Sequence, residues 1–121
     1  MTYQQIVMGK RALDQIVKLQ FPVRTAYSIF KLKKRIDELF EFEVDQEMKT
    51  IDKYHGTVKR NGSITFDKKE DSEACSNEMS ILLNTEIEEE IGPVAVEFDA
   101  LGDATLSPEI IEELDGLIIF Q

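Results

Sequence analysis

The chain has 121 residues, 42% of them hydrophobic, and a formal net charge of −10. That suits one domain, residues 1–121, with apolar residues enough for a single core, and no apolar run reaches the roughly eighteen residues that a membrane span requires. The single cysteine, Cys75, excludes an internal disulfide and argues for a reducing compartment, while the opening MTYQQIVMGKR lacks the order of a signal peptide.

Residues 3–20 predict a first helix, with Ile6, Val7, Leu13, Ile16, Val17 and Leu19 or Ala12 on one face at three- and four-residue spacing. Gly9 weakens its early turns. The helix should end at Gln20–Phe21, because a residue before proline is pushed out of the α region.

The stretch from Pro22 to Gly56 organises the rest and predicts one long helix, about 22–55. Pro22 suits the first helical position, Gly56 suits a left-handed cap, and no Gly or Pro lies between. Ala26, Ile29, Phe30, Ile36, Leu39, Phe40, Val44, Met48, Ile51 and Tyr54 recur at helical spacing. The alternative is a break near residues 42–46, but no breaker residue stands there. With the first helix it makes a helical hairpin over residues 1–56.

About 33 residues at about 1.5 Å each span about 50 Å, whereas a compact chain of this size is about 35 Å across. The helix should therefore overhang, leaving Phe40, Val44, Met48 and Ile51 bare unless a second copy covers them.

Residues 57–121 predict a small α+β part. Asn61-Gly62 sits between the β-prone runs Thr57–Arg60 and Ser63–Phe66, which signals a hairpin over 57–66. Asp67 to Asn84 predicts a helix with Asp67, Asp71 or Ser72 as cap. Two-residue alternation through Ile87, Ile91, Val94, Val96 and Phe98 predicts one or two strands within 86–98, joining the hairpin in a small antiparallel sheet. Ser107-Pro108-Glu109 opens a short last helix that Gly116 closes. The apolar end, Leu117 to Phe120, must dock. The stripe left bare on the long helix is its expected seat, so Ile118 and Phe120 join Phe40, Val44, Met48 and Ile51 as the candidate oligomer interface. The fold class is α+β, mostly α.

Charge is unevenly placed. Residues 1–36 hold eight Lys and Arg against one acid, Asp14, whereas residues 61–121 hold two Lys against sixteen Asp and Glu. Such asymmetry fits solvated faces, mutual attraction within or between subunits, or a nucleic-acid surface. For the last, Arg24, Lys31, Lys34 and Arg35 are the candidates, with Lys33 turned away. Tyr27 and Phe30 lie near them but fall at positions that read as core. The strongly negative total disfavours nucleic acid.

The arrangements that catalysis needs are missing. There is no Gly-rich phosphate loop, no Gly-x-Ser-x-Gly, no Cys-x-x-Cys and no His-Glu-x-x-His. His55, the only histidine, suits a helix end facing the C-terminal dipole. Glu86, Glu88, Glu89 and Glu90 alternate faces on a strand, which suits a charged edge better than a calcium loop. No catalytic residue, cofactor or metal ligand is therefore expected.

Several features occur together: Leu19 to Lys31 with Pro22 and Ala26-Tyr27, Lys53-Tyr54-His55-Gly56, EMSILLNTEI from Glu78 to Ile87, and Leu106-Ser107-Pro108. Their order resembles small uncharacterised proteins of tailed bacteriophages and prophages. His55 departs from that pattern, standing where Lys-Tyr-Gly would run on. The resemblance implies a phage origin, with a place in the bacterial cytoplasm or on the virion. The expectation is a non-enzymatic interaction or assembly protein that associates with itself and contacts a host or phage protein, away from membranes. Two alternatives are an acidic inhibitor that imitates nucleic acid and a nucleic-acid accessory protein using the basic half.

Overall fold

Helix α1, Tyr3–Ile16, starts from a reciprocal cap: the Gln5 amide donates to the Thr2 hydroxyl at 3.3 Å, and the Thr2 amide donates to the Gln5 side-chain oxygen at 2.8 Å. The computed structural model describes residues 1–121. α1 ends earlier than its apolar pattern, so Val17, Leu19 and Phe21 lie in the connection and pack from there onto the core.

Helix α2 runs unbroken over Val23–Lys53, 31 residues, and so is about 46 Å long. Pro22 caps it from outside, in extended conformation, and its carbonyl accepts from the Ala26 amide at 2.9 Å. The sharp change at Pro22 turns the chain back, and α1 lies antiparallel along the first half of α2. Tyr3 rests near Phe42, ring centroids 5.7 Å apart, and Lys10 reaches Asp37 at 3.0 Å. Ile29, Leu32, Ile36 and Leu39 make the seam that meets Ile6, Leu13 and Ile16. Each such burial stabilises by about 1.5–3 kcal/mol.

The far end of α2 closes differently from the sequence expectation. His55, not Gly56, takes the left-handed conformation, at φ 59. The Gly56 amide donates to the Ile51 carbonyl at 2.8 Å and the His55 amide to Asp52 at 3.1 Å, the paired bonds of a Schellman cap. Gly56 is needed for space: a Cβ there would come within 2.7 Å of Ile51 and 2.8 Å of the Phe66 ring.

Strands β1, Thr57–Val58, and β2, Ile64–Thr65, form the expected antiparallel ribbon about Asn61-Gly62. Helix α3, Lys69–Leu83, then runs antiparallel along the second half of α2. Glu78 accepts from Tyr54 at 2.6 Å, and Ile81 and Leu82 lie beside Gln46 and Thr50. Lys68 precedes the first turn without a side-chain cap; Asp71 and Ser72 lie inside the helix. The end of α3 meets the start of α1, where the Ile87 amide donates to the Met1 carbonyl at 2.8 Å. α1 and α3 thus lie end to end along one side of α2.

The 86–98 region corrects another expectation. Its strand, β3, Val94–Val96, does not join the ribbon. It pairs in parallel with β4, Ile118–Phe120. Between them lie a 3-10 turn, Phe98–Leu101, and helix α4, Pro108–Glu113. Ser107 caps α4, its hydroxyl accepting from Ile110 at 3.3 Å. Ile91, Val96, Leu114, Leu117 and Ile118 close the core over α1 and the first half of α2. Gly9 permits that closure, since a Cβ on it would lie 2.5 Å from Leu117. The architecture is α+β and mostly α, with two separate two-stranded sheets. No helix is long and apolar enough to cross a membrane.

Candidate functional site

The side of α2 turned away from α1 and α3 is the exposed one. Its residues follow from the helical period: once Ile29, Leu32, Ile36 and Leu39 face the core, Val23, Tyr27, Lys34, Glu41 and Asp45 must face out. Tyr27 is 62% exposed and Phe30 59%, and Val44 and Met48 are also exposed. Exposed apolar groups aligned on one face mark a contact surface more often than scattered ones do.

The predicted oligomer interface divides. Val44 and Met48 stand on this outward face. Ile51, 2% exposed, is sealed at the end of α2, where Gly56 and Phe66 lie against it. Ile118, 5% exposed, lies in β4 within the core. Phe40 is half-buried beneath the Lys10 ammonium, 5.2 Å from its ring centre, and Phe120 stacks on Phe98 at 6.2 Å. The C-terminal segment therefore does not fill the stripe on α2. α3 lies over the second half of that helix instead, because its period lets Cys75 and Leu82 turn inward.

The nucleic-acid candidates divide too. Arg35 is paired within its own chain, bonded to Glu89 and to Glu38. The Arg35 guanidinium holds the Glu89 carboxyl below its ordinary range. Arg24, Lys31 and Lys34 form no ion pair, and Lys31 lies 5.7 Å over the Tyr27 ring. Tyr27 and Phe30, expected in the core, are the residues that the sequence reading missed. The available signal was their spacing: Tyr27 stands seven residues and Phe30 four residues before Lys34.

Part of the charge is paired within the chain. Arg11 pairs with Glu109 at 3.0 Å and also with Glu113, Lys53 pairs with Glu78, and Lys10 and Lys33 share Asp14 and Asp37. Burial pushes the Asp37 carboxyl up, but hydrogen bonds from Lys33 and Lys10 outweigh it and leave it below the usual value. Hydrogen bonds from Lys53 and then Tyr54 lower Glu78.

Glu43 is a buried acid. It is 4% exposed, forms neither a hydrogen bond nor an ion pair, and sits one turn from Glu47. Burial first, and the Glu47 charge second, push its carboxyl up. Burial likewise raises the Cys75 thiol, with Glu78 and Glu47 adding to the shift, which keeps it protonated and a poor nucleophile. No three His, Cys, Asp or Glu side chains are grouped to hold a metal ion. His55 is exposed at the helix end.

No protein-family model, no curated protein and no solved structure matches the chain.

Proposed function

We propose that this is a non-catalytic interaction protein that self-associates through the outward face of α2. The setting is the assembly of a phage or prophage, or its contact with a host protein. One observation carries the reading: Tyr27, Phe30, Val44 and Met48 stand exposed along one side of an unbroken helix. Burying such side chains against a partner stabilises by about 1.5–3 kcal/mol each before the costs of association. The test is the solution mass by sedimentation equilibrium. The expected particle is larger than the 13.9 kDa chain, and Tyr27→Asp combined with Met48→Asp should return it to a single chain of unchanged helicity. A wild-type particle of one chain at the highest attainable concentration would overturn the reading.

One observation favours a second reading. Exposed Tyr27 and Phe30 lie among the unpaired Arg24, Lys31 and Lys34, a combination suited to stacking bases and neutralising phosphates. The net charge of −10 opposes it away from this patch. Under this reading, Lys31→Glu with Lys34→Glu abolishes retardation of a single-stranded oligonucleotide. Retardation unchanged by the pair would reject it.

A further inference from the structure

The middle of the α2 face shows what kind of partner copy fits, on the premise that the chain self-associates. Several charged side chains around it are paired within the molecule, among them Lys33 with Asp37, and Arg35 with Glu38 and Glu89. Lys34 and Glu41 are not. Both are exposed, both lie on the outward face, and neither has an ionic partner in its own chain. They stand two helical turns apart with opposite sign, and the apolar residues flank them, Tyr27 and Phe30 before and Val44 and Met48 after.

We infer that two copies pair through α2 in antiparallel fashion, about a two-fold axis passing between residues 37 and 38. In that register Lys34 of each copy faces Glu41 of the other, because the two lie equal steps from the axis. Tyr27 faces Met48 for the same reason. Phe30 enters the gap formed by Glu41, Val44, Asp45 and Met48 of the second copy, as a knob enters a hole of four helix residues. The surface is self-complementary, as a two-fold contact must be. A parallel pair would set Lys34 on Lys34 and Glu41 on Glu41, and the same charges that favour one orientation exclude the other. Lys34 is also one of the cations that the nucleic-acid reading would use, so this face cannot serve both partners at once.

Sedimentation equilibrium of charge variants tests the register. The charge substitutions are at exposed positions, and circular dichroism checks that each variant, the Cys75→Ser background included, keeps its helices. Lys34→Glu alone and Glu41→Lys alone each place two like-charged contacts in the pair and should weaken it by at least about tenfold. The double variant, Lys34→Glu with Glu41→Lys, should recover wild-type association to within a few-fold. Cysteine cross-linking gives the orientation. In a background where Cys75 is changed to Ser, Glu38→Cys beside the axis should oxidise to a disulfide-linked pair, and Tyr27→Cys, far from the axis, should not. A wild-type dimer indifferent to the charge reversals, or one cross-linked equally by both cysteines, overturns this register while self-association stands. A wild-type particle of one chain overturns both. If that single chain also retards an oligonucleotide in a Lys34-dependent way, the face belongs to nucleic acid.

Discussion

His55 shows how a single position can carry a cost that its neighbours do not reveal. It occupies the left-handed conformation at the α2 cap, where a side chain loses about 1–2 kcal/mol relative to the ordinary helical region. Gly would occupy it freely but would also loosen the unfolded chain. His55→Gly is therefore expected to stabilise by about 0.5–1 kcal/mol, read as a higher midpoint of urea unfolding. Gly56→Ala should do the reverse, because the added methyl meets Ile51 and Phe66. Glu43 carries a cost of another kind. Its folded-state carboxyl is raised by burial, so the fold favours the protonated form. The stability this allows is complete below the ordinary value of 4.5 and is lost as the pH rises through the higher folded value. Glu43→Gln should stabilise by about 1 kcal/mol at neutral pH, and the gain should vanish in acid. Asp37 runs in the opposite direction: its lowered carboxyl contributes above the ordinary 3.8 and loses that contribution as the pH falls through the folded value. Unfolding midpoints of Glu43→Gln against wild type across the acid range give the check. A gain that persists undiminished below pH 4.5 would assign it to packing instead.

At the scale of elements, the features with local physical signals were legible. The long helix was read from the absence of breakers between Pro22 and Gly56, the ribbon from Asn61-Gly62, and the last helix from Ser107-Pro108. All three stand in the structure within a few residues. What failed depended on partners distant in sequence. The β3 strand was legible as alternation at Val94 and Val96, but its mate was not, since a parallel pair needs a crossover and leaves no turn signature. Leu117 to Phe120 could be read as an end that must dock, yet apolar content alone does not choose between the bare stripe of α2 and a strand beside β3. The covering of the second half of α2 by α3 was missed for a related reason. α3 buries only Cys75 fully, so its inward face is too weak to advertise itself. The overhang argument thus placed the interface partly on residues, Ile51 above all, that the chain hides for itself. Val44 and Met48, which it also named, are exposed, while the exposure of Tyr27 and Phe30 was hidden in the same periodic pattern as Ile29. Helical spacing gives two stripes on a 31-residue rod, and only the packed neighbours decide which stripe faces in.

For the whole molecule, the uneven charge has two uses that act at different places. Ion pairs such as Arg11 with Glu109 and Arg35 with Glu89 join the basic first part of the chain to the acidic remainder. These are mostly exposed, so each contributes little alone and less as salt rises. The second is the use proposed along α2 itself, where the unpaired Lys34 precedes the unpaired Glu41 and the outward face is complementary to its own reverse. Under the proposed pairing, folding is linked to association: any copy bound to the folded form and not to the unfolded chain raises the apparent stability by mass action. The wild-type melting temperature should accordingly climb with protein concentration, by roughly 2–4 °C for each tenfold rise above the dissociation constant. Lys34→Glu should flatten that dependence while leaving the melting temperature at low concentration close to that of the wild type, because Lys34 has no ionic partner within its own chain to lose. Restoring the slope with Glu41→Lys in the same chain would separate a contact between copies from an effect on the fold, since a purely intramolecular change gives a melting temperature independent of concentration. Differential scanning calorimetry over a hundredfold range of concentration, at low and at high salt, makes the measurement, and equal slopes for wild type and Lys34→Glu would remove this contact from the account.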